Sequence, residues 1–87
     1  MASSAMTKKV LLQFSSEATP EWSVAVQTKF LEMASAFKTD GLIAENELGV
    51  RTRNFKDQAA AQEWVDFVTQ LAATQNRGLE SAEITDI

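Results

Sequence analysis

Arg51 and Arg53 are the residues whose type and spacing most directly suggest chemistry. They stand two positions apart in residues 50–55, where alternating residue types predict a β-strand. Side chains two positions apart on a strand share a face, and paired guanidinium groups can bind a carboxylate or phosphate through forked hydrogen bonds. The same two groups can instead form ion pairs with Glu45 or Glu83 on neighbouring strands. From the sequence, both interpretations stay open.

A second pair, Glu45 and Glu47, also falls on one face of a predicted strand. Paired carboxylates perform acid–base chemistry only where burial separates their pKa values. Because this pair lies beside a predicted turn, we interpret it as solvated and assign no catalytic residue. Trp64 can form the wall of a ligand cavity, although a tryptophan on an apolar helix stripe more often belongs to the core. The candidate ligand-binding residues are Arg51, Arg53, Gln13, Glu45 and Trp64.

The composition excludes several function classes. The 87 residues include no cysteine and no histidine, which removes thiolate chemistry and the most common metal and haem ligand, so we expect no metal and no cofactor. Eight Lys and Arg against twelve Asp and Glu give a net charge of −4, which argues against nucleic acid and anionic membranes as partners. No apolar run is long enough to span a bilayer, and no signal peptide is visible, so we expect a cytoplasmic protein.

The first half of the chain predicts a strand followed by a helix. Lys8–Phe14 alternates apolar and polar residues, as a half-buried strand does. Thr19 followed by Pro20 is a helix start, with threonine as the N-cap and proline at the first helical position. An apolar stripe at helical spacing runs along the predicted helix to the turn at residues 40–41, and it comprises Trp22, Val26, Phe30, Met33 and Phe37.

The second half repeats this order. Residues 42–48 predict an edge strand, Gly49 a turn and residues 50–55 a second strand. The clearest helix covers residues 57–74, with Asp57 as its N-cap, an apolar stripe that includes Trp64, and a turn out of the helix at Gly78. Residues 79–85 predict a last strand with Ala82 and Ile84 turned inward.

This order of elements predicts one ferredoxin-like α+β domain over residues 8–87, after a disordered lead at residues 1–7. Two helices would cover one face of an antiparallel sheet. The predicted open face mixes apolar and charged residues, namely Leu11, Gln13, Ile43, Glu45, Arg51, Arg53, Glu83 and Thr85. A small domain gains stability by covering such a face, so we expect a homodimer through the sheet rather than a solvated face with cross-strand ion pairs.

The segment RTRNFKDQAAAQEWVDFV, a strand leading into a helix, resembles the last strand–helix unit of dimeric α+β barrel proteins. These include the antibiotic-biosynthesis monooxygenase-like and stress-responsive barrel families. The resemblance implies a homodimer whose two sheets face each other. Members include cofactor-independent oxygenases and haem-degrading enzymes that use an Asn, Trp and His set. Trp64 would correspond to that tryptophan, whereas this chain has no histidine and its first strand carries Gln13.

Two functions follow as hypotheses. The first is a small homodimeric accessory protein that binds a small-molecule ligand at or near the sheet face. The alternative is a cofactor-independent monooxygenase-like or isomerase-like enzyme. Its pocket would lie between helices and sheet, with Trp64 as a wall and Arg51 or Arg53 as the polar anchor. An enzyme needs an enclosed pocket with converging polar groups, whereas an assembly protein needs only a filled interface.

Overall fold

The computed structural model describes residues 6–45 and 50–87, with the backbone alone at residues 42 and 45. The predicted turn at Gly49, Glu47 and the first five residues of the predicted lead fall outside that description. The elements are β1 (Lys8–Phe14), α1 (Pro20–Ser35), β2 (Thr39–Glu45), β3 (Arg51–Phe55), α2 (Gln58–Thr74) and β4 (Leu79–Asp86).

The strands form one antiparallel sheet in the order β2-β3-β1-β4. The central strand β1 sets the register, with Val10 opposite Arg53 on β3 and opposite Ile84 on β4. The predicted α+β class, an antiparallel sheet with two helices, is confirmed. Neither of the two helices in the described ranges is long and apolar enough to cross a membrane.

Both helices pack on the same face of the sheet. Trp64 of α2 meets Phe30 of α1, with ring centroids 5.7 Å apart, and Phe55 of β3, with centroids 6.0 Å apart. The apolar stripes predicted for the helices therefore bury against the predicted inward side of β1. The buried core consists of Val10, Leu12, Trp22, Val26, Phe30, Met33, Phe55, Ala60, Ala61, Trp64, Val68 and Ala72.

The helix N-termini follow the predictions. The hydroxyl of Thr19 accepts a hydrogen bond of 3.1 Å from the backbone nitrogen of Trp22, and Pro20 is the first residue of α1. The carboxylate of Asp57 accepts one of 2.8 Å from the backbone nitrogen of Ala60. Each cap satisfies an amide that has no partner within its own helix, which fixes where the helix begins.

The predicted end of α1 is wrong. The helix stops at Ser35, and Phe37 lies beyond it, 82% exposed, with a left-handed φ of 60°. Two hydrogen bonds close the helix, from the backbone nitrogen of Lys38 to the carbonyl of Met33 and from that of Phe37 to the carbonyl of Ala34. These hydrogen bonds to the last carbonyls end α1 before Phe37, although Phe37 continues the helical spacing of the apolar stripe.

A Phe37→Gly variant is expected to be more stable by about 0.5–1 kcal/mol. A left-handed backbone costs a non-glycine residue about 1–2 kcal/mol, and the greater freedom of glycine in the unfolded chain offsets only part of that gain. The exposed ring loses little buried surface when it is removed. Urea denaturation would measure the difference. The matched control is Asn76→Gly, at φ 56° after α2, where asparagine already tolerates the conformation and the gain should be smaller. A loss of stability in Phe37→Gly would contradict the prediction.

Strand β2 begins at Thr39, earlier than predicted, and Gly41 lies inside it rather than in a helix-ending turn. The pairing with β3 shifts between Thr39 and Ile43, and Gly41 there has a φ of 80°. The buried hydroxyl of Thr39 donates a 2.6 Å hydrogen bond to the carbonyl of Asn54. Asp40 and Gly41, which the sequence predicts to form a helix-ending turn, therefore form a bulge in an edge strand.

The exit from α2 also differs from the prediction. Asn76, not Gly78, adopts the left-handed turn, and the backbone nitrogen of Arg77 donates to the carbonyl of Ala72 over 2.8 Å. Gly78 instead allows a close approach, since its carbonyl accepts from the backbone nitrogen of Ser15 over 2.8 Å. A Cβ at Gly78 would lie 2.0 Å from the Ser15 hydroxyl oxygen, so a larger residue would displace that side chain.

Residues 6 and 7 of the predicted lead are described, and Thr7 is tied to the sheet. Its backbone nitrogen donates to the carbonyl of Phe55 over 3.0 Å, and its own carbonyl accepts from Ile87 over 3.1 Å. Thr7 therefore extends the pairing of β1 on both sides.

The predicted faces are right for β1 and β4 and wrong for β3. Ala82 and Ile84 pack against the core as predicted. Arg51 and Arg53, however, share the helix-covered face with Phe55, because the three alternate along one strand and Phe55 is fully buried. The large apolar ring sets the orientation of the whole strand.

The same reversal applies to β2. The backbone of Ile43 lies opposite Arg53 and that of Glu45 opposite Arg51, so both positions belong to the helix side of the register. The open face consists instead of Lys9, Leu11, Gln13, Thr52, Asn54, Ser81, Glu83 and Thr85.

Glu63 of α2 forms ion pairs with α1 and with the segment between α1 and β2. Its carboxylate lies 2.8 Å from the Nζ of Lys29 on α1 and 2.8 Å from the Nζ of Lys38 before β2. The hydrogen bonds from Lys29 and then Lys38 hold the pKa of the Glu63 carboxyl below its usual value of 4.5. The hydrogen bond to Glu63 in turn raises the pKa of Lys29.

We expect this network to give a stability increment that is lost in acid. Because the pKa of Glu63 is lower in the folded state, the increment is complete above the unfolded value and disappears as pH falls through the folded value. The free energy of unfolding of the natural protein should exceed that of Glu63→Gln by about 0.5–1 kcal/mol at neutral pH. Denaturation curves at several pH values would measure this. A difference that persists in strong acid, or that resists about 1 M salt, would contradict the ion-pair origin.

Candidate anion-binding site

The three arginines of the chain come together on the helix side of the sheet. Arg51 and Arg53 lie on β3, and Arg77 follows the end of α2. Arg51 and Arg53 line one space beneath α1, and Arg51 and Arg77 line another at the loop between β1 and α1. In a chain with a net charge of −4, this concentration of cations marks a candidate anion-binding site.

Arg53 is a buried cation, with only 6% of its surface exposed. Its guanidinium carbon lies 4.2 Å from the ring centroid of Phe30 and 4.8 Å from that of Trp64. Burial, together with the nearby charge of Arg51, lowers the pKa of Arg53 from its usual value to about 10. The group is therefore still charged at neutral pH, in a place where water does not stabilise it.

The aromatic rings compensate for this burial only in part. A cation over an aromatic face gains about 0.5–2 kcal/mol, whereas a buried ion that lacks its partner costs several kcal/mol. The Nη1 atom of Arg53 is buried and has no hydrogen-bond partner among the described residues, and the Nε1 of Trp64 is in the same condition. Both donors thus lack an acceptor in the described part of the chain, and an anion would supply one.

Arg77, beside the loop between β1 and α1, also packs its guanidinium group against two aromatic rings. Its guanidinium carbon lies 3.8 Å from the ring centroid of Phe14 and 4.5 Å from that of Trp22. Its Nη2 donates a 2.9 Å hydrogen bond to the carbonyl of Ser16, while its Nε is buried without a partner among the described residues. Burial, and then the charge of Arg51, lowers the pKa of Arg77.

Three spaces adjoin these arginines, and Arg51 lines all of them. An inner space of about 10 Å³, the room that one water molecule needs, is lined by Leu12, Phe14, Trp22, Val26, Arg51, Arg53, Trp64 and Val68. A space of about 160 Å³ opens towards β2 and is lined by Trp22, Ser23, Val26, Gln27, Phe30, Ile43, Arg51 and Arg53. A cleft of about 460 Å³ opens at the loop and is lined by Phe14, Ser15, Ser16, Glu17, Ala18, Arg51 and Arg77.

Three of the predicted ligand-binding residues, Arg51, Arg53 and Trp64, meet in this region. Gln13 does not, because it lies on the open face of the sheet. Glu45 pairs with Arg51 through the backbone, and its side chain is outside the description. The predicted ion pairing of the arginines with Glu83 is wrong, since Glu83 lies on the open face opposite Leu11.

Arg77 and its aromatic partner Phe14 were missed by sequence reasoning. The available signal was the position of Arg77 directly after Asn76, where the closing turn of a helix returns a side chain towards the sheet. No cluster of three or more metal-ligating side chains occurs within residues 6–45 and 50–87.

The fold and this region define an α+β protein with an arginine-lined space beneath its helices. No family model and no curated protein matches the chain. Among solved structures, it is similar to the solution structure of a hypothetical protein from Arabidopsis thaliana. The two share 15% sequence identity with a TM-score of 0.53, over 94% of this chain and 86% of the other. At that identity the similarity concerns the fold alone.

Proposed function

We propose that this protein binds a small anionic ligand between α1 and the sheet of a ferredoxin-like domain. The observation that carries the proposal is Arg53, a buried guanidinium group whose Nη1 has no hydrogen-bond partner among the described residues. The order of elements and the strand order β2-β3-β1-β4 support the ferredoxin-like assignment.

An anion beside Arg53 would form charge-assisted hydrogen bonds, each contributing about 1.5–3 kcal/mol. The exposed Arg51 at the edge of the three spaces would attract the ligand and complete its neutralisation. The surrounding Trp22, Val26 and Phe30 favour a ligand with an apolar body behind the anionic group. A carboxylic acid or a phosphate ester of modest size meets these requirements.

The test is thermal denaturation and calorimetry with matched probes. Short carboxylates and inorganic phosphate should raise the melting temperature, because a ligand that binds only the folded state at about 100 times its Kd stabilises it by about 2.7 kcal/mol. The corresponding neutral amides, at the same ionic strength, should have no effect. Equal responses to acids and amides, or no response to any anion, would refute the proposal.

The monooxygenase-like or isomerase-like alternative stays a prediction. A proton transfer would need an acid–base group in the site. Among the described residues that line the three spaces, Glu17 in the first loop is the carboxylate available for it.

We also propose that a second copy of the chain covers the open face of the sheet. The half-buried Leu11 lies near the centre of this face, between neutral Gln13 and Thr52. Lys9 and Glu83 lie on the same face on adjacent strands, so a two-fold arrangement can set Lys9 of one copy against Glu83 of the other.

A Leu11→Glu variant is expected to be monomeric, because the like charges would face each other across the two-fold axis. Sedimentation should give twice the 9.6 kDa chain mass for the natural protein and a single mass for the variant. The matched control is Ile43→Glu, an exposed apolar residue on the helix side of the sheet, which should leave the dimer intact. A natural protein that sediments as a monomer at tens of micromolar would refute this proposal.

A further inference from the structure

We propose that the natural ligand is a dicarboxylate with an apolar spacer, one carboxylate at Arg53 and the other at Arg77. This inference rests on the proposed anion binding and adds the class of ligand. Its basis is that the same local arrangement occurs twice.

Each of these two arginines lies against its own aromatic pair. Arg53 packs on Phe30 and Trp64, and Arg77 on Phe14 and Trp22. Each also has one buried guanidinium nitrogen without a partner among the described residues, Nη1 in Arg53 and Nε in Arg77. Arg53 and Arg77 line none of the three spaces in common, so an anion with a single carboxylate in one space would leave the arginine of the other without an acceptor.

Arg51 connects the two positions. It lines the space with Arg53 and the cleft with Arg77, and its charge adds to the field at both. Three cationic groups thus line neighbouring spaces that share Arg51 as a common wall. Two carboxylates on one molecule would neutralise most of this charge and bind with the advantage that the second contact is intramolecular.

The walls between the two positions favour an apolar spacer. Phe14 lines both the inner space and the outer cleft, while Trp22 and Val26 line the inner space and the opening towards β2. The inner space of about 10 Å³ holds no more than one water molecule, so the ligand would occupy the space of about 160 Å³ and the cleft of about 460 Å³, with its spacer passing Arg51, which lines both.

The experiment compares dicarboxylates from succinate to suberate with monocarboxylates of equal chain length, by calorimetry at constant ionic strength. We expect one dicarboxylate, the one whose length spans the two positions, to bind at least about tenfold more tightly than its monocarboxylate. In Arg77→Gln this ratio should fall to about one, and Arg77→Lys should restore part of it. In the control Lys56→Gln, which removes an exposed positive charge between β3 and α2, the ratio should stay as in the natural protein.

The outcomes separate the two proposals. If both acids bind with equal affinity, the dicarboxylate inference is wrong while anion binding stands. If neither acid binds, the proposed function itself is wrong. If Arg77→Gln and Arg77→Lys remain folded and keep the full ratio, Arg77 does not hold the second carboxylate and the inference is overturned.

Discussion

An Arg53→Met variant is expected to lose anion binding by at least about 100-fold and to become more stable. The loss follows because the buried Nη1, which has no partner within residues 6–45 and 50–87, is the donor that would meet the anion. Removing a charge partner from a buried ion pair costs about 3–5 kcal/mol, which corresponds to more than two orders of magnitude in affinity.

The gain in stability comes from the same group. Burying a guanidinium costs several kcal/mol, and the faces of Phe30 and Trp64 return about 0.5–2 kcal/mol each. Methionine has a flexible unbranched side chain of similar volume and no charged group to desolvate, and it packs adaptably against aromatic rings. We therefore expect the free energy of unfolding to rise by about 1–2 kcal/mol.

Urea denaturation without ligand, and calorimetry with a carboxylate, would measure the two effects separately. The matched control is Lys56→Met, which removes an exposed charge between β3 and α2 and should change stability by less than about 0.5 kcal/mol and leave anion binding unchanged. An Arg53→Met variant that is clearly less stable, or that still binds carboxylates as the natural protein does, would show that Arg53 is held for structural reasons alone.

A Trp64→Ala variant is expected to lose about 3–5 kcal/mol of stability. The side chain is fully buried where both helices and the sheet meet, with Phe30, Phe55 and Phe67 within 6.0 Å between ring centroids. A domain of 87 residues has about 4–13 kcal/mol in total, so this loss is a large fraction of its stability and should lower the melting temperature strongly. Circular dichroism and thermal denaturation would show this.

Trp64→Phe distinguishes packing from hydrogen bonding at this position. The indole Nε1 has no partner among the described residues, so phenylalanine loses no hydrogen bond and should cost less than about 1.5 kcal/mol. A cost for Trp64→Phe close to that for Trp64→Ala would mean that the indole nitrogen has an acceptor in solution, such as a bound water.

The local features of the fold were predictable because they depend on neighbouring residues. Alternation gave β1 with the observed bounds, and the apolar stripe together with Asp57 gave the start of α2. Thr19 and Pro20 mark the start of α1 for the same reason, since a side chain that accepts from the first amides acts within a few residues.

The predictions were wrong where contacts with residues distant in the sequence determine the local structure. The face of β3 depends on whether Phe55 or Val50 enters the core, and a short alternating strand fits both choices until its neighbours are known. The position of Phe37 depends on which carbonyls close α1. The part of the candidate site that sequence reasoning missed, Arg77, joins Phe14 and Trp22 only through the return of the chain after α2.

The bulge at Gly41 has a consequence for aggregation. Strands β2 and β4 are the edges of the sheet, and an edge with a regular ladder can recruit strands from other molecules into fibrils. The shifted pairing around Gly41 interrupts that ladder on β2, while Glu80 and Glu83 place negative charge along β4. Pairing of the sheet edge of one molecule with that of the next is therefore disfavoured by the irregular backbone of β2 at one edge and by electrostatic repulsion along β4 at the other.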